Sequence, residues 1–450
     1  MSVNYELEKY INKIGKWWLK DKPEEIFCAQ LVYKNGKYIL ESDTLNINLY
    51  KAVLKHDNNK FSNFCIYGNI KGVLFSLISC FTSATKTNMN PFAPMTDFEM
   101  ESCYYGAEIL PSEIVFGDFY ANNNTEIVSA IVDFNKIDEF IRIPTYETHE
   151  TGLKYTITRN ITLQLDSFSI NFFAMLLNQT SRNSQTYTSN IHTEFLFQNK
   201  SAINIVRTQI AKFRMLLSLL KLNYINISSV EISNDFTDKI TIANKAFYHM
   251  NHSVDEILED WDNPFFCLEY DTIADIFNDI VKKWYVMFEE AEPVFELFYQ
   301  ILIKKSFDIN KFLNLTQAVE VYSNKYRINE VKSLIAEFPN SDGSKKVRLF
   351  HKIYDLFFMV KDCFGLDDKQ IEKISHLISN TRNYFTHYGS NSKKKALVNF
   401  RDRLPISDLM TYLLTILIYL ELGIPANIIK DNFFNSNYEW TLQHIKESYK

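Results

Sequence analysis

Apolar and polar residues alternate with a period of two through the first half of the chain, and with a period of three to four through the second. In FCAQLVYKNGKYILES (27–42), Phe27, Ala29, Leu31 and Tyr33 fall on one side, and the return strand runs through Tyr38 and Leu40. Asn35-Gly36 between them predicts a tight hairpin, because both central residues of that turn need positive φ. The stretches 64–78, 113–134 and 154–173 repeat the pattern and predict further strand pairs. One helix is expected at 202–221, followed by a strand in YINISSVEI (224–232). Short strands at this spacing predict an antiparallel sandwich or open barrel.

From about residue 270 the apolar positions recur at three and four. TIADIFNDIVKKWYVMFEEA, EPVFELFYQILIKK, NKFLNLTQAVEVYSNKYR, VRLFHKIYDLFFMVKDCF, DDKQIEKISHLISNTRNYFTHY and ISDLMTYLLTILIYLELG each read as a helix. FPNSDGSKK (338–346) and GIPAN (423–427) separate them. The expected fold is therefore α+β in two domains. Residues 1–265 form an antiparallel β-rich domain, and residues 266–450 an all-α bundle.

Composition changes this picture little. The 450 residues are 46% apolar and 23% charged, an ordinary globular balance. The most apolar run, LMTYLLTILIYL (409–420), has twelve residues, against the roughly 20 that cross a bilayer, so a buried helix is expected. The start of the chain has no continuous apolar core of the secretory kind. The six cysteines are scattered without CxxC spacing and read as reduced thiols of a cytoplasmic protein. Charge is uneven: residues 280–450 carry 24 Lys/Arg against 20 Asp/Glu, or +4, while the chain as a whole carries −6. Any polyanionic partner is thus expected at the C-terminal part.

The candidate chemistry lies in TRNYFTHYGS (381–390). Ile371, Ile374, Ile378 and Phe385 form one stripe of a helix, with Arg382 at its edge. Asn383 and His387 are four apart and share a face, so the carboxamide can hold one imidazole nitrogen. Gly389 then ends the helix and leaves His387 at its open end. A histidine titrates near neutrality and can take the proton of a ribose 2′-hydroxyl or protonate a leaving oxygen. A guanidinium, always charged and forked, suits the phosphate and the negative charge that grows on it. Together they make metal-independent RNA cleavage chemically reasonable, and one histidine per chain points to a composite site in a two-fold dimer. The structural alternative is that Arg382 pairs with a carboxylate such as Glu320 and His387 only caps its helix.

Arg142 and His149 share the spacing, but Pro144 and strand-like surroundings offer no helix to orient them. Lys393, Lys394, Lys395, Arg401 and Arg403 follow the motif and are candidates to grip RNA phosphates. His249 and His252 are three apart, too few for a metal site, and SVDE after them reads as a capping box. No GxxxxGK, GxSxG or HExxH occurs, and neither metal nor cofactor is expected.

TRNYFTHY on a late helix of an all-α bundle resembles the HEPN superfamily, whose signature is Arg, four to six residues, then His, with a polar residue after the arginine. Arg382, Asn383 and His387 match it without a gap. FLNLTQAVEVYSNKYR upstream and LMTYLLTILIYLELGI downstream are similar to the neighbouring helices of the ApeA-like branch, in which a β-rich domain precedes the bundle. The resemblance implies a dimeric endoribonuclease of bacterial anti-phage defence, cleaving RNA, with tRNA a frequent target, in an abortive-infection response. It implies catalytic roles for Arg382 and His387 and a supporting role for Asn383. A phage protein is an expected trigger. The rival is a binding module, whose β-rich half recognises a protein or glycan while the bundle only dimerises.

Overall fold

The computed structural model describes residues 5–45, 64–87, 105–141, 146–149, 152–155, 161–180, 185–235, 245–250, 268–303, 309–340, 343–387, 395–433 and 438–448. They divide into two compact units. The first comprises Met1–Ile137, Ile143–Ala211 and Asn226–Glu259; the second Asp138–Arg142, Lys212–Ile225 and Asp260–Lys450.

The first unit holds β1 (Ile14–Leu19), β2 (Lys22–Lys34), β3 (Lys37–Leu45), β4 (Phe64–Ile70), β5 (Val73–Thr87), β6 (Tyr105–Gly117) and β7 (Glu126–Phe134). It continues with β8 (Tyr146–His149), β9 (Gly152–Tyr155), β10 (Ile161–Gln164), β11 (Phe168–Thr180), β12 (Gln185–Ala202), β13 (Ile227–Ser233) and β14 (Lys245–Met250). Six antiparallel strands close on themselves in the order β6-β3-β2-β1-β4-β5-β6, which makes a barrel. A second run, β14-β13-β7-β12-β11-β10, extends the sheet from the other half of β6. Pro111, which has no N–H to donate, lies between the part of β6 paired with β3 and the part paired with β14.

The predicted hairpins are present where turn chemistry dictates them. β2 and β3 pair Lys34 with Lys37 around Asn35 (φ 51°) and Gly36 (φ 79°). β4 and β5 pair Ile70 with Val73 around Lys71 (φ 53°) and Gly72 (φ 91°). The pairing expected within 113–134 does not form. β6 takes β14, β3 and β5 as partners, and β7 takes β12 and β13. Alternation identified both strands but could not choose their neighbours. β1, which the alternation reading passed over, supplies the barrel's largest core residue: Trp17 is fully buried and its indole N–H donates to the Ala29 carbonyl at 3.0 Å.

Among the described residues, the helices longer than a single turn are α1 (Ile203–Lys221), α2 (Phe277–Ile303), α3 (Ile309–Tyr326), α4 (Ile328–Glu337), α5 (Leu349–Met359), α6 (Asp368–His387), α7 (Phe400–Glu421), α8 (Ala426–Phe433) and α9 (Tyr438–Ser448). α2 joins two predicted helices across a break at Ala291 (φ −137°, ψ 31°), two residues before Pro293. The helical unit is thus the α half of the expected α+β fold, with α3, α5, α6 and α7 around an apolar core. Phe312, Leu315, Ile353, Phe357, Ile371, Ile374, Ile378, Leu413 and Leu417 are fully buried in it. Among the described residues, α7 is the one helix with the length and hydropathy to cross a membrane, and most of it is buried inside the protein.

Candidate active site

α6 places the motif. Its apolar stripe holds the helix in the unit: Ile371, Ile374 and Ile378 are fully buried, while Phe385 is half-buried. His387 is the last helical residue and is exposed. Gly389, expected to end the helix, lies outside the described residues.

Arg382 does not swing free. Its Nη2 lies 3.8 Å from Oε2 of Glu320 on α3, and its Nη1 donates to Oδ1 of Asn383 at 3.4 Å. The other Glu320 oxygen accepts from Lys352 Nζ of α5 at 2.7 Å. A cation, a carboxylate and the motif guanidinium therefore form a line across α5, α3 and α6. The pairing with Glu320 foreseen as the structural alternative does exist, and it leaves the Arg382 side chain about one-third exposed. Asn383 was expected to hold the imidazole. Its side-chain oxygen accepts from Arg382 instead, so the carboxamide braces the guanidinium. The Thr386 hydroxyl donates to the Arg382 carbonyl at 2.9 Å, within the last turn.

The segment that re-enters after the motif is tied back to α6. Leu397 N–H donates to the hydroxyl of fully buried Thr381 at 3.0 Å. Arg403 Nη1 donates to the carbonyls of Leu397 and Val398 at 3.0 and 2.8 Å, and its guanidinium lies 4.9 Å from the Phe385 ring centroid. Arg403 was expected to grip phosphate; at 8% exposure it is instead part of the frame that holds α7 against the motif helix. Lys395 and Arg401 are exposed. Lys393 and Lys394 lie outside the described residues.

His376 lies eleven residues before His387 on the same face of α6, and spacing had not singled it out. It stacks on Phe350 at 4.0 Å between ring centroids, and burial lowers its pKa below the ordinary histidine value. Lys352 was also missed. Its signal was a lysine set with His351 and Asp355 among the apolar residues of LFHKIYDLFF, where a charge needs a buried partner. Of the remaining candidates, His249 sits on β14 edge-on to Tyr38 at 5.0 Å, and His252 lies outside the described residues. Arg142 is outside them too, and His149 ends β8.

A β-barrel domain followed by an all-α unit, with Arg-Asn-x3-His closing a late helix, defines a two-domain protein of the HEPN class. A family model described as ApeA N-terminal domain 1 matches residues 12–284, and one described as Apea-like HEPN matches residues 313–428. The chain belongs to the ApeA-like HEPN family, a family of anti-phage defence whose HEPN domains are associated with RNase activity. Neither a curated protein nor a solved structure matches it.

Proposed function

We propose that the protein is a metal-independent endoribonuclease of bacterial anti-phage defence, acting in the cytoplasm of an infected cell. The observation that carries this reading is Arg382 hydrogen-bonded to Asn383 and ion-paired with Glu320 in the last turns of α6, five residues before an exposed His387. His387 takes the proton of a ribose 2′-hydroxyl. The 2′-oxygen then bonds to phosphorus, the bond from phosphorus to the 5′-oxygen breaks, and that leaving oxygen is protonated by a second imidazole. Arg382 holds the negative charge that grows on the phosphate oxygens. One chain supplies one such histidine, so two copies complete the acid/base pair in a homodimer. Lys395 and Arg401, with Lys393 and Lys394, grip the flanking phosphates, and tRNA is the first substrate to try. The barrel unit senses the trigger, for which a phage protein is our candidate.

Incubating purified protein with total RNA in EDTA tests the reading. Cleavage is expected in the wild type, and His387→Ala should lose about 10²–10⁴ in rate. Equal cleavage by both proteins, or none by either after phage components are added, would instead favour a dimerising module whose barrel binds a ligand.

A further inference from the structure

We infer that Glu320 and Lys352 are positioning residues for Arg382, and that Lys352 keeps the guanidinium available to an RNA phosphate. The inference rests on the ribonuclease reading and deepens it. An arginine near a helix end has long, free rotamers, and a guanidinium that must be oriented at the moment of reaction stabilises the transition state less. Here one hydrogen bond and one ion pair restrict it: Asn383 Oδ1 accepts from Nη1 at 3.4 Å, and the Glu320 carboxylate attracts Nη2 from 3.8 Å. Nε–H and the remaining N–H bonds are left over for phosphate oxygens.

A carboxylate beside that arginine also carries a hazard, because on its own it would neutralise the charge the phosphate needs. Lys352 answers this. Its ammonium, 9% exposed, takes the nearer contact with Glu320 at 2.7 Å, against 3.8 Å for Arg382. Two cations share one anion, so the cluster keeps a net charge of +1 facing the motif. The carboxylate supplies orientation and the lysine restores charge. Three helices contribute one group each, and no pair among them serves both needs.

The two roles separate in an experiment on the full-length protein. Affinity is read with a 2′-O-methyl oligoribonucleotide, which binds but has no nucleophile, and kcat with unmodified RNA in EDTA. Glu320→Gln keeps size and hydrogen bonding but removes the charge. It should lower kcat by about 10- to 100-fold while affinity holds or tightens. Lys352→Met leaves the carboxylate to Arg382 alone and should weaken affinity by about 2- to 10-fold. The double variant Lys352→Met/Glu320→Gln should recover that affinity but not kcat. A merely structural cluster would weaken affinity, kcat and melting temperature together in all three variants, and that result overturns the inference. So does Glu320→Gln with wild-type kcat while His387→Ala is inactive, a pattern that spares the ribonuclease reading. A wild type that cleaves no better than His387→Ala removes both.

Discussion

At the residue scale, neighbouring arginines of one segment have opposite fates. Arg401 and Arg403 are two positions apart on α7, and only the second turns inward, onto Phe385 and two backbone carbonyls. Removing it strands both carbonyls, and Arg403→Ala should cost about 1–3 kcal/mol of stability. The urea midpoint measures that loss. Arg401→Ala should leave the midpoint in place and weaken RNA affinity, with a shallower salt dependence of about one unit in log–log slope. His387 and Arg382 were singled out by spacing, residue chemistry and the family resemblance taken together. Lys352 was not, because pairing across three helices leaves no periodic trace along the chain.

At the scale of elements, the barrel depends on a strand that alternation did not reveal. Trp17 of β1 lies over Gly68 of β4, its paired residue, and a Cβ at Gly68 would overlap the indole ring. Gly68→Ala should therefore destabilise the protein by about 1–3 kcal/mol or more, read as a drop in denaturation midpoint. A second element-level feature crosses the extended sheet. Asp133 of β7 pairs with His192 of β12 and accepts from Ser229 of β13, while Phe173 of β11 stacks on the imidazole at 5.7 Å. Burial alone would raise the Asp133 carboxyl, but the hydrogen bonds from His192 and Ser229 and the imidazole charge carry it below its ordinary value. A depressed carboxyl stabilises the fold above its unfolded pKa of about 3.9, and that contribution is lost as pH falls through its folded value. Asp133→Asn should flatten the dependence of the midpoint on pH in that acidic window and leave a smaller change near neutrality. An unchanged slope would count against the pairing.

At the scale of the whole molecule, the proposed site is incomplete in one chain. Cleavage should rise more steeply than linearly with protein concentration below the dimer dissociation constant, and sedimentation should show a dimer above it. A monomer with full activity would rule out the shared site.

Periods of two and 3.6, Asn-Gly and Lys-Gly turns and the order of helices are local properties, so the sequence by itself determined the α+β class, several hairpins and the helix that ends in Arg382, Asn383 and His387. Which strands pair at a distance depends on buried area shared between segments far apart in the chain. Tertiary structure alone therefore decided that β6 closes the barrel with β5 and leaves β7 to other partners. It also decided that Arg403 faces inward and that Asn383 braces the guanidinium. A carboxylate shared by Lys352 and Arg382 exists only once α3, α5 and α6 are packed, because no spacing along one helix can bring those three groups together.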